Sequence, residues 1–234
     1  LARIGKMISI VDLVKEVNTD WKDVLLECIE PHAVLIDDMR NKEPLDIFPP
    51  SENIFAAFKK FDKKDLKVVI VGQDCYHTPG MAHGLCFSVP KTCGKLPPSL
   101  RVIFKELEHE YGGPMREETD LSDWAIDGVL LLNCALTVRV GTAGSHLKYW
   151  KPVVDKIMEH IAQNNEGIVF MLWGNFAQTY EQMIDTDNNL VLKARHPSPL
   201  AASKGPFVGN MHFRLANEYL TKHGKHTVTW LKKD

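Results

Sequence analysis

The sequence predicts an α/β fold: a single-domain sandwich with a central four-stranded parallel sheet flanked by helices. Four short runs, at residues 67–72 (KVVIVG), 129–133 (VLLLN), 168–173 (IVFMLW) and 190–194 (LVLKA), are almost continuously apolar. Strands covered on both faces read this way, whereas half-exposed strands alternate. Helical periodicity fills the stretches between them, and strands alternating with helices build a parallel core. There is no internal repeat and no long linker in the 234 residues, so one domain is expected.

Taken in order, residues 1–19 read as an N-terminal extension and residues 20–234 as the domain. Helices are expected at 21–29 and 52–61, ahead of the first strand. Between the first two strands, residues 99–111 place Leu100, Ile103, Phe104 and Leu107 on one stripe and end at Gly112-Gly113. Residues 149–163 do the same with Val153, Val154, Ile157 and Ile161, and Gly167 follows as a stop. Two further helices are expected at 175–184 and 212–223.

Composition narrows the function. The net charge is −2, from 28 basic and 30 acidic residues, which argues against a protein that coats nucleic acid by bulk positive charge. The charge is uneven, with +6 over residues 193–234 and −8 over residues 1–192. Such a block is either a solvated face or a local anion-binding surface. No apolar run approaches the ~20 residues of a membrane helix, and no signal-peptide layout opens the chain, so no membrane role is expected and an intracellular location is. The five cysteines contain no C-x-x-C pair, which speaks against a disulfide scaffold, a zinc site or an iron–sulfur cluster.

Parallel sheets bind ligands beyond the carboxyl ends of their strands. Four loops qualify. The first holds Gln73, Asp74, Tyr76 and His77, followed by His83 and Phe87; the second opens on Asn133; the third is Trp173-Gly174. The fourth is His196-Pro197-Ser198-Pro199-Leu200, in which two prolines stiffen a loop displaying a leucine. A surface leucine on a stiff loop adds little stability unless it is a wedge. Neither a phosphate-cradling G-x-x-x-x-G-K-[ST], nor G-x-G-x-x-G, nor a G-x-S-x-G nucleophile elbow is present.

At these residues the chain resembles the family-1 uracil-DNA glycosylases, over roughly residues 20–232. The matching segments are GQDCYH (72–77), AHGLCFSV (82–89), LPPSL (96–100), LLLN with LTVR (130–139), SH (145–146), LWG (172–174) and HPSPL (196–200). The resemblance implies an enzyme that flips uracil from DNA and hydrolyses its N-glycosidic bond without a cofactor or metal. It makes Asp74 and His196 catalytic: Asp74, helped by His77, stabilises the cationic sugar and orients water, while His196 hydrogen-bonds uracil O2. Gln73 through its backbone, Tyr76 beside C5, Phe87 by stacking and Asn133 at the uracil edge form the base site. His77, Ser99 and Ser198 grip phosphates, Leu200 enters the duplex and Lys204 adds charge to the DNA contact.

Uracil-containing DNA, single- or double-stranded, is the implied partner, a protein inhibitor or a replication factor are further candidates, and a monomer is expected. The location is then wherever the DNA resides: nucleus, cytoplasm or viral replication site.

The chain departs from the family pattern in places. Cys75 stands where the family has proline, Glu181-Gln182 replaces a Gly-Ser pair, Ala201 replaces a serine and Lys204 an arginine, and residues 205–209 run one residue longer. These departures leave two other readings: a catalytically weak, glycosylase-like DNA-binding or scaffold subunit, and a cysteine hydrolase pairing Cys75 with His77.

Overall fold

The structure, a computed structural model, describes residues 7–231. Before the sheet come three helices, α1 (Ile10–Lys15), α2 (Trp21–Ile29) and α3 (Ala33–Lys42), and a two-residue strand β1 (Ile47–Phe48). The sheet strands are β2 (Val68–Gly72), β3 (Val129–Asn133), β5 (Val169–Trp173) and β6 (Leu190–Ala194). Between them lie α4 (Pro98–Tyr111), α5 (Ser122–Ile126), β4 (Val138–Arg139), α6 (Leu147–Asn164) and α7 (Asn175–Gln178), and α8 (His212–Lys222) follows.

The four strands pair in parallel in the order β3-β2-β5-β6, as their apolar runs predicted. Every residue of β2, β3 and β5 is buried. The chain leaves β2 for β3 on one side, then crosses back to β5 on the other. Right-handed crossovers running in opposite directions put α4 and α6 on opposite faces of the sheet. The crevice where the order reverses lies at the carboxyl ends of β2 and β5, and the ends of β3 and β6 flank it.

Two expected helices take a tighter form. Residues 52–61 make two 3₁₀ turns, Ser51–Asn53 and Ala56–Phe58, because Phe55, Phe58 and Phe61 recur every third residue and all are buried. Phe58 and Phe61 meet the Trp21 ring edge-on, with centroids 5.6 and 6.0 Å away. The second, after β5, starts as α7 and continues as a 3₁₀ helix, Thr179–Met183, which brings the Tyr180 hydroxyl to Asp155 at 2.7 Å. Ahead of residue 20, α1 is capped by Ser9 and buries Ile10, Leu13 and Val14.

The start of α8 is held from outside. Glu106 of α4 accepts the N–H groups of Gly209 (2.5 Å) and Met211 (2.7 Å), and Glu110 accepts those of Phe213 (3.2 Å) and Arg214 (2.6 Å). Two carboxylates thus satisfy donors that a helix leaves free at its N-terminus. Burial and the neighbouring Glu106 push the Glu110 carboxyl upward.

Candidate active site

A cavity of about 350 Å³ opens at the carboxyl ends of the strands. Seven of the eleven residues singled out in the sequence line it: Gln73, Asp74, Tyr76, Phe87, Ser99, Asn133 and His196. They come from the loops after β2 and β6, from the last residue of β3 and from the first turn of α4.

Asp74 is the second residue after β2. Its Oδ1 accepts the Cys75 N–H (3.1 Å) and its Oδ2 the Gly144 N–H. Burial raises its pKa, while these two bonds and the nearby His146 and His77 pull the other way. Asp74 is therefore a half-buried carboxylate held by backbone donors, aimed into a cavity.

Asn133 is buried, and its register partner in the sheet is Gly72. A Cβ on Gly72 would collide with Asn133 Oδ1, so only glycine leaves the amide its place. The Asn133 Nδ2 lies 3.7 Å from Cys75 Sγ, whose own thiol donates to the Ala135 carbonyl at 3.2 Å. Burial pushes the Cys75 thiol well up, leaving no thiolate to act as a nucleophile. That removes the cysteine-hydrolase reading.

The Tyr76 hydroxyl donates to the Phe87 carbonyl at 2.9 Å. Phe87 has φ +63°, a left-handed conformation that costs a non-glycine residue of order 1–3 kcal/mol and marks functional sites. Its ring lies 5.7 Å from Trp173 and 5.8 Å from His196. Beneath it, the Trp173 indole N–H donates to His212 Nδ1 at 2.9 Å, and burial pushes His212 down to about 4. An aromatic floor is thus pinned by a neutral imidazole.

His196 Nδ1 accepts the Ser198 backbone N–H at 3.0 Å. A nitrogen that accepts carries no proton, so the neutral ring bears its proton on Nε2. Burial lowers the pKa of His196, which favours that neutral state.

The remaining predicted residues lie outside the cavity. His77 sits on the Asp74 loop and its carbonyl accepts the Gly141 N–H at 2.9 Å. The Ser198 hydroxyl accepts the Leu200 N–H at 3.3 Å, which caps the 3₁₀ turn Pro199–Lys204. Leu200 is 92% exposed, the most exposed large apolar side chain among the described residues. The Lys204 side chain lies outside the described residues.

Within the described residues, the basic block does not form one surface. Lys225 donates to the Glu166 carbonyl and Lys67 to the Thr227 carbonyl, which places the tail at the amino ends of β5 and β2. His196, within the first part of the block, lines the cavity.

Sequence reasoning missed the Gly144 N–H bond to Asp74 and the contact of Glu43 with His146. The signal available for the first was the Gly141-Thr142-Ala143-Gly144 run, whose two glycines adopt φ +69° and +72°.

A family model for the Uracil DNA glycosylase superfamily matches residues 58–221. The chain belongs to that superfamily. A protein of Azotobacter vinelandii named uracil-DNA glycosylase is 43% identical over 218 residues, covering 91% of this chain and 93% of the relative. One of the same name from Amoebophilus asiaticus is 50% identical over 185 residues, covering 79% and 83%. The crystal structure of mimivirus uracil-DNA glycosylase matches the fold with a TM-score of 0.83 at 25% identity, over 97% of this chain and 90% of that one. A variant of that viral protein has been solved in complex with UGI.

Against the glycosylase pattern, the Glu181 departure is compensated on the spot. Both Glu181 oxygens accept from Lys193 Nζ at 2.8 Å, so the added carboxylate is paired with a cation of β6. The Cys75 departure supplies a backbone N–H that proline lacks, and Asp74 uses it.

Proposed function

We propose that this chain flips uracil out of DNA and hydrolyses its N-glycosidic bond, releasing free uracil and leaving an abasic site for base excision repair. The observation that carries the reading is the shared cavity: it holds a half-buried carboxylate, a neutral imidazole with its Nε2 proton available, an amide and an aromatic ring.

The chemistry follows from these groups. As the bond between C1′ and N1 breaks, the sugar gains positive charge and uracil leaves with the bonding pair. Asp74 faces the cation and takes the proton of the water that attacks C1′. His196 donates its Nε2–H to O2, where the negative charge of the leaving base collects; a donor fixed in a dry pocket is worth most there. Asn133 offers a donor and an acceptor, which match the O4 and N3–H of uracil and mismatch cytosine. Phe87 stacks on the base, and Tyr76 occupies the space a thymine methyl would need.

Leu200 fills the gap that the extruded nucleotide leaves, offsetting part of an unstacking cost of a few kcal/mol. His77, Ser99 and Ser198, with Lys204, contact phosphates around the flipped nucleotide. The partner is uracil-containing DNA, single- or double-stranded, and the place of action is wherever that DNA resides. Among the described residues no helix is long and apolar enough to cross a membrane. The scaffold reading rested on weakened DNA grip, and the pairing of Glu181 with Lys193 removes much of its motive.

The test is base release from oligonucleotides carrying one uracil, cytosine or thymine. Wild type is expected to release uracil alone. Tyr76→Ala opens space beside C5 and is expected to gain thymine release. A variant that releases uracil and still rejects thymine would remove Tyr76 from the exclusion role, and a wild type that releases no base would remove the function.

A further inference from the structure

The Gly144 N–H that holds Asp74 Oδ2 comes from a loop, residues 139–146, that runs from β4 to α6 and lines the cavity with Ala143 and Gly144. Its two ends meet at one side chain from far away in the sequence. Glu43, just past α3, accepts from Arg139 Nη2 with Oε1 and from His146 Nε2 (3.1 Å) with Oε2.

Glu43 is an ionised carboxylate and only accepts, so His146 donates a hydrogen bond to it from Nε2. Burial favours the neutral imidazole, which leaves Nδ1 to accept the Thr137 hydroxyl at 2.9 Å, while Thr137 Oγ1 accepts the Trp150 indole N–H at 2.7 Å. Trp150, Thr137 and His146 are buried, so the chain runs from the core to the loop. The Arg139 hydrogen bond, first, then His146, holds the Glu43 carboxyl down to about 2, ionised at any working pH.

We infer that Glu43 is a positioning residue of the reaction: by bridging Arg139 and His146 it fixes the 139–146 loop and holds the Gly144 N–H against Asp74. The inference rests on the proposed glycosylase reading, since it concerns the residue assigned there to water activation. Glu43 touches no reacting atom. Its effect reaches the chemistry through one hydrogen bond to the charged form of Asp74, and losing such a bond favours the protonated form. The charged and titratable groups around this assembly are His77 and His146 facing Asp74, and Glu43, Asp46 and Tyr149 facing Arg139.

The experiment measures uracil release by the full chain between pH 5 and 9 for wild type, Glu43→Gln and Arg139→Gln, and for Glu43→Gln combined with Asp74→Asn, alongside thermal melting. Glu43→Gln is expected to lower kcat about tenfold with little change in KM. The acid limb of its rate profile should move to higher pH by roughly half to one unit. Arg139→Gln removes one arm at a half-exposed side chain and should shift the limb the same way by less, which keeps the test open if Glu43→Gln melts early. Added to Asp74→Asn, the Glu43 change should cost nothing further. An unmoved acid limb in both single variants, or an equal rate loss with and without Asp74, overturns the inference. A wild type that releases no uracil instead overturns the reading beneath it.

Discussion

His196→Leu is expected to slow uracil release by about 10²- to 10³-fold, with the loss in kcat and KM little changed. The expectation follows from where the proton sits. The Ser198 N–H occupies Nδ1, so the ring has one donor left, on Nε2, and burial keeps the ring neutral. That donor meets charge only when the base leaves, so it stabilises the transition state more than the bound substrate. Leucine fills similar space and donates nothing. The loss should be the same at every pH above about 7.5, where even an ordinary histidine with a pKa of about 6.5 is nearly all neutral. Single-turnover release from a uracil oligonucleotide reads both quantities, and a variant within threefold of wild type would discard the role.

Asp74→Asn is expected to cost about 10²- to 10⁴-fold in the same assay. Asparagine keeps the shape and can accept one of the two backbone N–H groups, but carries no charge to face the cationic sugar and accepts no proton from water. The sign of the stability effect separates chemistry from folding. The folded-state pKa of Asp74 is raised, so the folded chain holds that proton more tightly than the unfolded chain does. The charged carboxylate therefore costs stability at neutral pH, and the cost falls as pH drops through the raised pKa. Removing the charge should leave the melting temperature within a few degrees of wild type. An inactive variant that also melts far below wild type would point to lost folding and not to a lost reaction.

The sheet was legible because β2, β3 and β5 are buried on both faces and spell that out as unbroken apolar runs. The loops were legible because strand ends are where an α/β fold places polar groups it does not need for packing. What the local pattern could not show is contact between distant residues. Glu43 lies 103 residues from His146, and nothing near it in the sequence marks its carboxylate as a staple. The segment 52–61 has a period that fits a 3₁₀ turn as well as an α-helix, and burial of Phe55, Phe58 and Phe61 decided between them. The basic tail looked like one surface only because its residues are neighbours in the chain. Folding carries Lys225 to the far end of the sheet from His196.

Pairing of Glu181 with Lys193 has a related lesson. A residue that breaks a family's pattern invites a reading of lost function, yet its effect is set by what it meets. Here it meets a cation 12 residues on, and the two charges offset each other.

A neutral imidazole and a carboxylate share one pocket, and the imidazole can be observed directly. Nitrogen NMR of the His196 ring, titrated from pH 8 to pH 5, reports both its tautomer and its protonation. The account predicts a proton on Nε2 alone at neutral pH and a titration midpoint below the ordinary value of about 6.5. A ring protonated on both nitrogens at pH 7, or one with its single proton on Nδ1, would contradict it.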